Sequence, residues 1–169
     1  MITRPLAFLL LAAGLAACGP DWGEPNNFRV ETEYRPVFLR RADLEQSIRL
    51  ETARDLSDPA KIYHKDGYLL ISERYEGVHL IDNRDPAQPK QLGFLRVPGC
   101  VDIAMRGRTL YADNGVDLVA VDLQDFTQPR EVSRVRRAFP TLLPPDGGAI
   151  PETFETYTDE DLVIVGWTR

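Results

Sequence analysis

The sequence predicts an all-β protein built from β-propeller-type four-stranded blades, and three observations carry that expectation. Offset by forty residues, the middle of the chain aligns with itself without a gap. Gly67 falls on Gly107, Leu70 on Leu110, Asp82 on Asp122, Asp85 on Asp125, Gln88-Pro89 on Gln128-Pro129 and Lys90 on Arg130. A period of about 40 residues, made of short apolar runs and turn residues, is the size of one propeller blade. The stretch from Ser57 to Val135 also divides into eight short runs, four to a repeat. Finally, Leu69-Leu70-Ile71, Val78-His79-Leu80-Ile81 and Leu118-Val119-Ala120-Val121 do not alternate. Strands of that kind need cover on both faces, which stacked blades supply and a two-layer sandwich does not.

In chain order, residues 1–17 read as a lipoprotein signal peptide. Arg4 precedes a short apolar stretch from Leu6 to Leu15, and Leu15-Ala16-Ala17-Cys18 resembles the bacterial lipobox. That resemblance implies cleavage before Cys18 and a lipid on its sulfur. Gly19, rather than Asp, then follows the lipidated residue, which in lipoprotein sorting favours the outer membrane. Residues 18–33 hold Gly19, Pro20, Gly23, Pro25, Asn26 and Asn27 and read as a tether. Tyr34–Leu39 reads as a strand. Ala42–Ile48 reads as a short helix, with Asp43 and Glu45 near its positive end.

The repeat region, 34–137 with its flanking strand, contains two blades at about 57–97 and 98–137. The first comprises the runs Lys61–His64, Tyr68–Glu73, Gly77–Asp82 and Lys90–Arg96. The second comprises Val101–Met105, Thr109–Asp113, Asp117–Asp122 and Arg130–Val135. Asp66-Gly67 and Asn114-Gly115 are tight-hairpin signals that need positive φ. Asp85-Pro86 with Pro89 makes a longer turn, and Phe126 replaces the first Pro in the second copy. Residues 138–161 are Pro- and Gly-rich and read as a loop, and 162–169 as a terminal strand. Two blades leave a ring incomplete, since closed propellers have roughly four to eight.

Composition narrows the function. Among 169 residues, 26 acids against 20 bases give a net charge of −6, which argues against nucleic acid as a partner. The cluster Arg134, Arg136 and Arg137 reads as a solvated strand edge. With Cys18 acylated, Cys100 has no partner and reads as a buried, small apolar residue. Asp82, Asp85, Asp122 and Asp125 could be taken for metal ligands, but their places at strand ends suit carboxylates that accept backbone N–H bonds. His64 and His79 each sit inside an expected strand and read as satisfied core residues. No nucleophile elbow, phosphate-cradling loop or paired-Cys motif occurs. The expectation is a protein without catalytic activity, cofactor or metal.

The segments "GYLLISERYEGVHLIDNRDPAQPKQLGFLRVPG" and "GRTLYADNGVDLVAVDLQDFTQPREVSRV" resemble the LVIVD-repeat family of bacterial surface or exported β-propellers. The stretch "VDIAMRGRTLYADNGVDLVAVD" is the most characteristic part, and the resemblance runs from about Tyr34 to Trp167. It implies a propeller fold and an exported location. The family has no common activity, so no catalytic residue transfers. Members are generally longer, with further blades.

In a four-stranded meander, the turns after the second and fourth strands lie at one end. That end gathers Glu73, Arg74, Tyr75, Glu76, Asp102, Asp113 and Asn114, the candidate binding face. The functional expectation is a binding or scaffold module held at the envelope by lipid on Cys18. Its partner would be a protein, a glycan or a second copy. The alternatives are a truncated fragment of a longer propeller and a propeller-based enzyme.

Overall fold

The structure is a computed structural model that describes residues 31–151, 154 and 161–169. The signal and Cys18 lie outside the described residues. The chain is all-β, as its patterning predicts, and its sheets are open. The first repeat forms β3 (Pro59–Lys65), β4 (Tyr68–Glu73), β5 (Gly77–Asp82) and β6 (Lys90–Arg96). The second forms β7 (Ile103–Arg106), β8 (Thr109–Asn114), β9 (Asp117–Asp122) and β10 (Arg130–Val135). Each repeat is an antiparallel meander, and its first hairpin turns on residues that tolerate positive φ. Asp66 and Gly67 lie at φ 51° and 79°, as that dipeptide demands.

The ladders correct the gapless alignment. Asp82 pairs with Lys90 and Asp122 with Arg130, so the second hairpin repeats after forty residues, down to a bulge at Gln91–Gly93 and again at Glu131–Ser133. In the first hairpin, however, Lys65–Tyr68 and Ile62–Ile71 correspond to Arg106–Thr109 and Ile103–Ala112. That offset is forty-one. The difference is absorbed in the next turn, which has three residues (Arg74–Glu76) in the first repeat and two (Gly115–Val116) in the second.

With register corrected, the packing of the two sheets becomes clear. Leu70, Val78, Leu80 and Leu95 of the first sheet meet Ile103, Leu110, Ala112, Val119 and Val121 of the second, all fully or almost fully buried. The counterparts of this second set in the first repeat are Ile62, Leu69, Ile71, His79 and Ile81, which lie on its other face. Unlike faces therefore meet. Each inner strand must be apolar on both sides, which explains the continuous rather than alternating runs. Leu70, Leu80 and Val121 are thus interior, not part of an open sheet face as sequence position alone would allow. The junction continues through Tyr68, whose ring stacks on Phe126 at 4.2 Å. This accounts for Phe where the first repeat has Pro86.

No sequence pattern marks β2 (Arg49–Glu51), which adds a fifth strand to the first sheet in the order β2-β6-β5-β4-β3. It pairs with Phe94–Arg96. Room for it comes from Gly93, where a Cβ would fall 2.9 Å from Leu50 Cδ1 and 3.0 Å from the Glu51 carbonyl oxygen. At the same bulge in the second repeat stands Ser133, and the second sheet has four strands. Replacing Gly93 with Ser should displace β2 and cost about 1–3 kcal/mol. Amide exchange should rise at Leu50 and Leu95, and unchanged protection there would refute this account.

The flanking strands pair with each other. β1 (Arg35–Arg40) runs antiparallel to β11 (Leu162–Thr168), forming a two-stranded ribbon. The short helix α1 spans Arg41–Glu45 rather than Ala42–Ile48, and Leu44 joins Val163 and Val165 in a small second core. The ribbon lies over the turn end of both sheets. Closeness there depends on two glycines at positive φ, Gly99 and Gly115. A Cβ on Gly99 would fall 2.5 Å from the Gly115 nitrogen, and one on Gly115 would fall 3.0 Å from Val163. The described end of the expected tether is anchored: Thr32 donates to the Ala149 carbonyl and to Asp146. Within the Pro- and Gly-rich stretch, the Leu142 carbonyl accepts the Trp167 indole N–H.

Candidate ligand cleft

The turn end predicted from topology does converge. Tyr75, at φ 65°, donates its N–H to the Cys100 carbonyl and accepts one from Gly99. Asn114 Nδ2 donates to the Pro98 carbonyl at 2.6 Å. Between these turns, the segment before β3 and the ribbon lies a cleft of about 850 Å³. One wall is apolar, from Val37, Leu39, Val165 and Trp167. Glu73 and the turn residues Arg74–Glu76 line the cleft together with Arg54, Asp55 and Asp58. Tyr34 and Arg96 also line it.

Of the seven candidate residues, Glu73, Arg74, Tyr75 and Glu76 meet in this cleft, while Asp102, Asp113 and Asn114 do not. Asp102 is exposed and forms an ion pair with Lys61, tying β7 to β3. Asp113 accepts the N–H groups of Val101 and Asp102, both at 2.9 Å. Burial nevertheless pushes its carboxyl above the usual range. Asn114 is buried and holds the connection between the repeats in place. It occupies in the second sheet the position that Glu73 holds in the first.

Glu73 is 3% exposed and saturated with donors. Its carboxylate lies 2.6 Å from His79 Nε2 and accepts the N–H groups of Ser57 and Asp58 as well as a bond from Arg54 at 3.3 Å. Burial alone would raise its pKa, but these bonds outweigh it and hold the carboxyl below the usual range. His79 is thus the satisfied core residue its strand position implies. His64, by contrast, is exposed on edge strand β3. The Arg54 guanidinium lies 3.6 Å over the Phe94 ring and reaches Glu76 at 3.4 Å, while Arg74 pairs with Asp58 at 3.2 Å.

The other sequence candidates have structural roles. Asp82, Asp85, Asp122 and Asp125 accept the N–H two residues on, from Arg84, Ala87, Gln124 and Thr127. Arg84 also bonds Asp82 and lowers its pKa to about 2. Cys100 is fully buried, and burial drives its thiol well above the ordinary value, which leaves it unreactive. The arginine cluster is not simply a solvated edge. Arg134 is largely buried against Asp117, Asn114 and Glu131, and Arg136 pairs with Glu45.

Sequence reasoning missed Arg54, Asp58, Arg96 and Tyr34. Arg54 and Asp58 belong to an irregular stretch with no periodicity, and the ribbon that positions Tyr34 depends on pairing across the whole chain. Neither a protein-family model, nor a curated protein, nor a solved structure matches this sequence.

Proposed function

We propose that the protein is a lipid-anchored envelope module of propeller-type repeats that binds a protein or glycan in the cleft and carries out no catalysis. The cleft itself carries the reading. It combines an apolar wall, half-exposed tyrosines and fixed charged groups beside the convergent turns, a lining suited to binding. Glu73, which lines the cleft, is spent on His79 and on holding the Ser57–Asp58 backbone. The head-to-tail meeting of unlike sheet faces favours blades over a sandwich, in line with the resemblance of the repeats to LVIVD propellers. The signal and lipobox support anchoring through Cys18, and Gly19 favours the outer membrane.

Two measurements test this. Cys18→Ser should move the protein from the membrane to the soluble fraction, since stable anchoring needs the acyl chains. Retention in the membrane would overturn the lipid assignment. Amide shifts of that soluble form, titrated with envelope saccharides and peptides, should concentrate at Tyr75, Arg96 and Trp167. Shifts confined to other surfaces, or none, would overturn the cleft reading.

Self-association is a second reading with an observation of its own. Tyr111, Leu118 and Val135 occupy on the second sheet the positions of Leu70, Val78 and Leu95, which are buried in the first. Val135 is 54% exposed. Sedimentation that shows a monomer at all concentrations would remove this reading.

A further inference from the structure

The charged groups of the cleft are unequally satisfied. Glu73, Glu76 and Asp58 are each engaged by an arginine, Glu73 most completely. Arg96, in contrast, lines the cleft half-buried with no side-chain hydrogen bond or ion pair among the described residues. Phe94, over which Arg54 lies, projects from the same face of β6 two residues away. The Arg54 Nε–H is itself buried without an acceptor.

A second observation points the same way. In the β2–β6 ladder, Arg96 stands directly opposite Arg49. Like charges so placed repel, and Arg49 turns aside to Glu51 at 2.7 Å. Arg96 is therefore left as an unspent positive charge with planar N–H donors.

Resting on the binding role of the cleft, we infer that Arg96 receives the carboxylate of a uronic-acid-bearing saccharide. A guanidinium fork matches carboxylate or phosphate geometry. The nearby Asp55, Asp58 and Glu76 make a doubly charged phosphate the poorer guest, so a monoanion fits better. The rest of the lining fits a sugar ring. Half-exposed Tyr75, backed by Gly166, and Tyr34 offer aromatic surface to its C–H face. Asp55, exposed and unpaired among the described residues, offers acceptors to hydroxyl groups.

Calorimetry on the full chain with Cys18→Ser tests this, with trigalacturonate, a neutral trisaccharide, inorganic phosphate and a short peptide with a free C-terminus as probes. Trigalacturonate should bind and the neutral sugar should bind at least about tenfold more weakly. Arg96→Gln should cost a similar factor, since a hydrogen bond to a charged group is worth about 1.5–3 kcal/mol. Arg96→Lys should fall between, because charge survives while the fork is lost. Both variants should melt as the parent does, since the Arg96 side chain makes no hydrogen bond or ion pair among the described residues. Equal binding of the neutral sugar, or indifference to Arg96→Gln, overturns the inference. Tighter binding of phosphate or peptide at these residues overturns the saccharide assignment while leaving the cleft as a binding site. If no probe binds and none shifts Tyr75 or Trp167, both readings fall.

Discussion

Glu73→Ala is expected to destabilise the protein by about 3–5 kcal/mol, the usual consequence of removing one partner from a buried ionic network. Total stabilities are only about 5–15 kcal/mol, so the variant would be partly unfolded at ordinary temperatures. The substitution leaves His79 without its acceptor and Arg54 with Glu76 alone, and frees the Ser57 and Asp58 N–H groups that lead into β3. Glu73→Gln should be milder, because it keeps the shape and one acceptor. The pH dependence has a definite sign. A carboxyl held below its unfolded value, near 4.3 for Glu, stabilises the fold above that value and ceases to do so as pH falls through the folded one. The stability gap between the parent and Glu73→Gln, measured in urea, should therefore be widest at neutral pH and shrink below about pH 4. A gap that widened on acidification would refute the assignment.

Asp117→Ala should cost a comparable amount, about 3–5 kcal/mol, at a different joint. Asp117 is completely buried at the start of β9. It accepts Arg41 Nη1 at 2.7 Å, Arg134 Nη1 at 2.9 Å and the Arg137 N–H at 3.0 Å. Burial acts to raise its pKa, but these donors prevail and hold it below the usual range. Arg41 begins α1, so this one carboxylate ties the ribbon and helix to the second sheet. Beyond the loss of global stability, exchange should quicken first across Arg35–Gln46 and Arg130–Arg137, while β4 and β5 keep their protection. Uniform loosening of the whole chain would show that Asp117 is not a local tie.

These two residues also show what the sequence could and could not reveal. The eight strands of the repeats were legible because each is a short apolar run between turn residues, and the turn type of Asp66-Gly67 follows from its chemistry. The one-residue change of register was not. Gly67 and Gly107 align in sequence but take different places in their hairpins, and only the ladders expose this. β2 was invisible because its one apolar residue, Leu50, gives no pattern, and the strand depends on Gly93 lying more than forty residues away. The pairing of β1 with β11 likewise spans almost the whole chain. For the cleft, topology pointed to the end of the sheets where it lies and to four of its lining residues. It could not tell that Asp102, Asp113 and Asn114 are spent on holding the chain together there, nor that Arg54 and Arg96 enter from outside the turns.

The meeting of unlike faces at the sheet junction gives the molecule a polarity along its stacking direction. Had like faces met, the pair would be a closed twofold object, complete at two units. Here each sheet offers one kind of surface ahead and another behind, so a third sheet could join by the same rule that joins the first two. A gene segment of about 40 codons could then be copied in tandem with each copy meeting its neighbour in the same orientation. Variation in unit number is thus open to such a lineage at little structural cost, whereas drift within a strand is constrained twice, once for each neighbour it must fit.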